Sequence, residues 1–541
     1  MTQHKNSKQA IRLPIYISVA IVTGILIGAQ MASPQGVYSA NTLSKFKQIL
    51  SYIENDYVDE VNTEELVEHA INDMLEELDP HTNYINAEDN EILRTQLEGN
   101  FEGIGIEFNI FKDTIYVIAP LSGGPSIKAG LQSGDKIIKV NGETVAGVGL
   151  SNRDVITRLR GEKGSKVEVS IKRNGNSSLL NFEIERDVIP QYSVDVAYMI
   201  DDQTGYIKVS RFAATTYMEF KQALLDLKEK GMERMILDLT GNPGGYLDRA
   251  VDMVDEILED KKLIVYTEGK ESRYNDRHFS KNGGDFEKGS VIVMIDEGSA
   301  SAAEIVTGAL QDHDRGIVVG RRSFGKGLVQ LPINLNDGSE LRLTISRYYT
   351  PSGRSIQKPY EDSEDYHNEF AKRYESGELF NADSVEVNDK LIFKTSSGRT
   401  VYGGGGITPD FYVPIDSSQN AFLNQVFRTN TLTQFSLKYY EEHHESLNKM
   451  GLEAFMTDFE VDQNVMEGFE AAAKSNGISM VDPGYQKSLD ELQLYIKAFI
   501  GRSVWNNDGF FPIFNQTDPI YLRALALYEE ADMLLKTANQ P

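Results

Sequence analysis

In the stretch GIVVGRRSFGKGLVQ, Gly316 to Gln330, one lysine sits at spacings that suit three different chemistries. Gly320 to Lys326 reads G-x-x-x-x-G-K, the opening of a phosphate-binding loop. That loop also needs Ser or Thr next, to hold magnesium, and a helix starting there. Position 327 is Gly, and the sequence that follows, LVQLPINLND and SELRLTISRYYT, alternates as β-strands do. Ser323 and Lys326 also form S-x-x-K, which in penicillin-recognising enzymes lies on a buried helix and is joined by S-D-N and K-T-G. No S-D-N occurs here, and KTSSG at Lys394 to Gly398 is only a loose echo. The third chemistry makes Lys326 the base for a serine elsewhere. In IDEGSASAAEIVTGAL, Ile295 to Leu310, a strand is expected to end at Gly298 and a helix to open at Ser299 to Ser301. A serine at that junction stands beside the free N–H groups of the first helical turn, which can receive an oxyanion. The plain alternative is that Ser299 or Ser301 caps the helix. His313 lies twelve residues beyond Ser301 on the same expected helix, too far along it to serve as its base.

Several kinds of element must position these residues. From Tyr192 to Pro351 apolar strand-length runs (GYIKVSRF, ERMILDLT, LIVYTEG, SVIVMIDE, GIVVG) alternate with helical stretches, which implies a mostly parallel sheet covered by helices. Working groups gather at the strand C-terminal ends of such sheets. DLTGNPGGYLDRAVDMV, from Asp238, is a second strand, glycine-rich turn and helix, where Gly244 and Gly245 let backbone come close to a ligand. Residues 100–187 carry short β-rich runs with Asn-Gly turns at Asn141-Gly142 and Asn174-Gly175, a small β domain. Residues 41–99 and 416–541 read as helical. Within 188–415, residues 358–400 are an insertion, whose acidic stretch Lys358 to Asp389 lacks a core pattern and is expected to be exposed.

The motifs GSASAAEI, DLTGNPGG, GRRSFGKGLVQ, YYTPSGRSIQ and GGGGITPD, in the order and at the spacings found here, resemble those of the carboxyl-terminal processing proteases, tail-specific serine peptidases. The β domain resembles their PDZ module, and LDPHTNYI, Leu78 to Ile85, resembles the segment leading into it. The resemblance covers about residues 40 to 415, leaving the C-terminal helices outside. It implies a multi-domain α/β fold with a crotonase-like ββα protease core, 188–415, and an inserted PDZ-like domain, 100–187. It further implies Ser301 as nucleophile, Lys326 as base, Gln330 orienting that lysine, and the N–H groups of Gly244 and Ala302 as the oxyanion hole. Gly103, Ile104, Gly105 and Ile106, in EGIGIEF, match the PDZ loop that holds a peptide's terminal carboxylate, so the expected partners are proteins or peptides with free apolar C-termini. Arg160, in LRGEKGS, is a candidate for coupling the domains. Glu297 and Ala303 depart from the pattern of many members without touching these roles. The competing reading is a non-catalytic PDZ scaffold on an inactive protease fold.

Composition agrees with this range of functions. A net charge of −27 over 541 residues argues against nucleic-acid binding, and the absence of cysteine excludes disulfides, thiol nucleophiles and Cys-ligated metals. No metal or other cofactor is expected. Residues 13–44 carry no charged side chain, and Leu13 to Ala32 has about the length of a membrane-spanning helix. Lys5, Lys8 and Arg12 precede it, which leaves residues 1–12 in the cytoplasm and the peptidase in the periplasm of a single-pass membrane protein. If the segment is instead a cleaved signal, the rest is exported. The C-terminal helices are a place for homodimerisation, an adaptor protein or substrate enclosure.

Overall fold

The structure is a computed structural model that describes residues 40–538, apart from 122, 282, 361–365, 367 and 416–420. The expected membrane segment, 13–32, lies outside the described residues, and among those residues no helix is long and apolar enough to cross a membrane. The chain divides at Met74/Leu75. In the first unit the helix Ala40–Asp56 leaves Leu43, Phe46, Ile49 and Tyr52 exposed.

The second unit is built on a six-stranded sheet whose spatial order follows the chain: Val194–Met199, Thr204–Val209, Arg234–Asp238, Ser290–Ile295, Gly316–Gly320 and Phe411–Tyr412. The first pair is antiparallel and the others are parallel. Both faces are covered, which explains the unbroken apolar runs. Met235, Leu237, Val291, Val293 and Ile295 pack against the helices Thr216–Glu229, Leu247–Asp255 and Ala302–Asp312. Ile236, Ile292, Met294 and Ile317 point the other way, onto Ile520, Tyr521, Ala524 and Leu527 of the C-terminal helices. The C-terminal helical region is thus part of the protease core as well as carrying a core of its own around Phe455, Phe469 and Ile496.

LIVYTEG differs from its expected placement. Leu263–Gly269 is a strand, but it belongs to a second, antiparallel sheet with Asn83–Ile85, Asp276–Phe279, Leu328–Asn334 and Glu340–Tyr349. Asn100–Gly103 and Asp187–Pro190 pair antiparallel where the chain enters and leaves the small β domain. That domain's sheet has Ile106–Phe111 at its edge and the helices Pro125–Ala129 and Asn152–Leu159 packed with it. C-terminal helices touch its outer face: Arg502 pairs with Glu107 at 2.9 Å, and Leu437 packs with Phe111 and Ile118.

The acidic insertion is exposed over most of its described length, as expected, but not throughout. It includes the helix Glu369–Glu375, and Lys358, Tyr366, Arg373, Glu378 and Leu379 are buried. Its charges pair with one another and with Lys358 and Arg322, so their solvation is replaced rather than lost.

Candidate active site

Strand Ser290–Ile295 ends three residues earlier than expected, and a turn carries the chain to Ser301, at the N-terminal cap of helix Ala302–Asp312. Ser301 has φ 55° and ψ −113°, a left-handed conformation that costs a non-glycine residue energy and turns the chain sharply from strand to helix. The companion turn makes room for it. A Cβ placed on Gly244, itself at φ 98°, would stand 2.7 Å from Ser301 Cβ and 2.9 Å from the Ala302 nitrogen. Only glycine allows that approach. Gly244 and Ala302 are thereby neighbours, although the Gly244 N–H donates to Asn242 Oδ1 at 2.8 Å in this structure.

Ser299 and Ser301 part company. The buried Ser299 hydroxyl donates to the Leu239 carbonyl at 2.8 Å and accepts the Asp296 N–H at 3.0 Å, tying the two turns together. Ser323 is likewise committed, donating to Glu304 Oε1 at 2.5 Å and accepting the Ile407 N–H at 2.6 Å. His313 Nε2 lies 2.7 Å from the Leu263 carbonyl, at the far end of the helix from Ser301.

Lys326 stands in the irregular segment before strand Leu328–Asn334, half-buried. Its Nζ donates to Gln330 Oε1 at 2.8 Å, across four residues, as an extended chain allows. Gln330 is held in turn by the backbone of LDPHTNYI, its Nε2 donating to the His81 carbonyl. Asp79 Oδ1 accepts the His81 and Thr82 N–H groups at 2.8 and 2.9 Å and the Thr344 hydroxyl at 3.1 Å, which locks that segment onto strand Glu340–Tyr349 beside Gln330. Burial pushes the Lys326 amine below the ordinary lysine range. Arg342 adds to this, while Asp79 and Glu304 oppose it.

Two residues outside the expected site hold its halves together. Glu304, 1% exposed, accepts the Ser301 N–H at 2.8 Å and the Lys326 N–H at 2.9 Å on one and the same oxygen, Oε2. Its other oxygen takes the Gly325 N–H at 2.7 Å and the Ser323 hydroxyl. Burial lifts this carboxyl to about 7 in spite of its four donors. Tyr348, also 1% exposed, places its hydroxyl 2.5 Å from the Lys326 carbonyl and 3.1 Å from the Ser301 carbonyl. The spacing S-x-x-E of Ser301 and Glu304 is a helix-start signal readable from sequence. Tyr348 and Asp79 lie within the motifs YYTPSGRSIQ and LDPHTNYI, but no spacing tells what either side chain touches.

In the β domain, Gly103 ends the strand Asn100–Gly103 and Gly105 adopts φ 73°. Ile104 is 2% exposed and faces the domain's own core, while Ile106 begins the edge strand. Arg160 donates to Thr95 Oγ1 at 3.2 Å and lies over the Phe101 ring, joining the end of helix Asn152–Leu159 to the segment that enters the domain.

Comparison with known proteins agrees with this architecture. The model of peptidase family S41 matches residues 203–363, a PDZ domain matches 103–184, and the N-terminal domain of the activating protease CtpB matches 27–89. A family of unknown function matches 422–506. A carboxy-terminal-processing protease of Bartonella bacilliformis is 36% identical over 350 residues, covering 63% of this chain and 80% of that one. The chain belongs to the S41 peptidases, among the carboxy-terminal-processing proteases. This S41 serine peptidase is also 36% identical over 322 residues to the carboxy-terminal processing protease CtpB of Bacillus subtilis, covering 58% of this chain and 66% of that one. Among solved structures, a photosystem II D1 C-terminal processing protease is 26% identical, covering 71% of this chain and 90% of the other at a TM-score of 0.35.

Proposed function

We propose that this S41 peptidase is a membrane-anchored serine endopeptidase that cuts proteins of the cell envelope after taking hold of their C-terminal tails. Ser301 is its nucleophile, Lys326 its general base and Gln330 the group that orients the base. The observation that carries this reading is the shared Glu304 oxygen, which accepts the amides of Ser301 and Lys326 together. A serine hydroxyl is a weak nucleophile and needs a base close by. An ordinary lysine, with a pKa of about 10.4, is protonated and useless for that at neutral pH. The burial that lowers the Lys326 pKa leaves more of the amine neutral. Ser301 Oγ then attacks the scissile carbonyl carbon while its proton passes to Lys326 Nζ. The lysine returns that proton to the leaving amine as the C–N bond breaks. Water hydrolyses the acyl-enzyme by the same route.

The Ala302 N–H at the helix start and the Gly244 N–H receive the oxyanion. Gly244 must first turn from Asn242 Oδ1, so substrate binding completes the hole. The tail adds as a strand to the edge Ile106–Phe111, with its carboxylate at the loop Gly103 to Ile106. The apolar segment 13–32 anchors the chain and leaves the peptidase in the periplasm.

The test is cleavage of a peptide with a free apolar C-terminus. Ser301→Ala and Lys326→Ala abolish turnover, and amidating the peptide's C-terminus slows it. A normal rate in either variant refutes the catalytic assignment. Equal rates for the free and amidated peptides refute the tail-binding one.

A further inference from the structure

Arg322 to Gly327, the loop that carries Lys326, is neither strand nor helix, and single backbone hydrogen bonds tie it to Ser299, Ile407, Tyr348 and Lys358. Such a segment must satisfy its backbone in other ways or stay mobile. From one side, the Glu304 carboxylate takes the N–H groups of Gly325 and Lys326. From the other side the partner is Arg373, in the insertion helix, beyond the end of the S41 family match. Its Nη1 donates to the Arg322 carbonyl at 3.0 Å and its Nη2 to the Ser323 carbonyl at 3.0 Å. A carboxyl clamp therefore holds two of the loop's backbone donors, and a guanidinium clamp two of its acceptors.

The guanidinium clamp is itself braced. Glu369 accepts from Arg373 at 2.8 Å and from Lys358, whose ammonium lies 3.8 Å from the Phe324 ring centre and 3.9 Å from that of Tyr366. Glu378 takes both Nε and Nη2 of Arg322 at 2.7 and 2.8 Å. The Tyr366 hydroxyl meets His81 Nε2 at 2.5 Å, and the His81 carbonyl holds the Gln330 amide. The insertion thus reaches both ends of the Lys326–Gln330 pair. Burying a guanidinium is costly even when it is paired, and here the expense is concentrated on one short loop.

We propose that Arg373 is a positioning residue for the peptidase reaction, setting the placement and burial of Lys326 through the carbonyls of Arg322 and Ser323. This rests on the assignment of Lys326 as the base. Without Arg373 the loop loosens, water reaches the amine, and its pKa climbs back toward the ordinary lysine range.

The experiment compares wild type, Lys326→Ala, Arg373→Ala and Arg373→Lys, full length, on one peptide, as kcat, KM and the pH profile of kcat/KM. Arg373→Ala lowers kcat about 10- to 100-fold, the size expected for losing charge-assisted hydrogen bonds, with KM little changed. Its acid limb moves to higher pH, which a residue that only stiffens the fold does not cause. Arg373→Lys keeps the charge beside Glu369 but cannot span two carbonyls. It folds, and it shows the same alkaline displacement to a smaller degree. Added guanidinium partly restores Arg373→Ala. If Lys326→Ala is inactive while Arg373→Lys keeps the wild-type kcat and acid limb, the proposal is overturned and the catalytic assignment stands. If Lys326→Ala is active, the catalytic assignment has failed first.

Discussion

Glu304 offers the sharpest numerical test. Its carboxyl ionises near 4.5 in an unfolded chain and at about 7 in the fold, because burial outweighs its four donors. Between those values the folded protein keeps a proton that the unfolded chain has lost. Stability therefore falls as pH rises through that window. At about 1.4 kcal/mol per pH unit, this one group removes roughly 2–3 kcal/mol between about pH 5 and about pH 8. Glu304→Gln cannot titrate. Its amide oxygen can keep the Ser301 and Lys326 N–H groups, with NH2 turned toward Ser323, whose hydroxyl can rotate to accept, and toward Gly325, whose N–H is left unpaired. That fixed penalty is about 1–3 kcal/mol and does not depend on pH. The variant therefore gains roughly 2–3 kcal/mol on the parent between about pH 5 and about pH 8. The assay is calorimetric and chemical denaturation of both proteins at the two pH values. A stability difference that is the same at both pH values would refute the reasoning, because the buried carboxyl would then not carry the titration.

Three further outcomes are expected. Gly244→Ala adds a Cβ against Ser301 and the Ala302 nitrogen at a left-handed φ, and kcat/KM falls about 100-fold or more, with loss of labelling by a fluorophosphonate; a wild-type rate contradicts the geometry. Tyr348→Phe leaves the Lys326 carbonyl without its donor; about 1–3 kcal/mol of stability is lost and kcat drops while KM holds, as steady-state kinetics would show. Arg354→Ala strands the fully buried Asp312 carboxylate, paired at 2.8 Å, and costs about 3–5 kcal/mol by chemical denaturation.

How much of this was legible in the sequence depends on how far apart the cooperating residues lie. Gln330 is singled out by the resemblance, and its offset of four from Lys326 on an extended segment is compatible with their pairing. The strand, turn and helix around Ser301 follow from local pattern, with the strand ending three residues early because the turn also carries Ser299 across to Leu239. Glu304 announces itself only as a helix-start residue. Its grip on Gly325 and Lys326, some twenty residues on, comes from tertiary folding. LIVYTEG has the composition of a parallel strand, and nothing in an apolar run tells which sheet it joins. The acidic insertion misleads only in part: most of it is exposed, whereas Glu369, Arg373, Arg322, Glu378 and Lys358 pair with one another largely out of water.

The two C-terminal helices on the core sheet, Pro519–Leu525 and Tyr528–Ala538, have a consequence for biosynthesis. Ser301, Lys326 and Gln330 precede by some two hundred residues the segments that cover Ile236, Ile292 and Met294. Until those segments are in place one face of the sheet stays open and apolar, the kind of surface that recruits chaperones and degradation machinery. A chain that lacks Pro519–Leu525 and Tyr528–Ala538 leaves that face uncovered wherever it folds, so the integrity of the core sheet depends on the last elements of the chain.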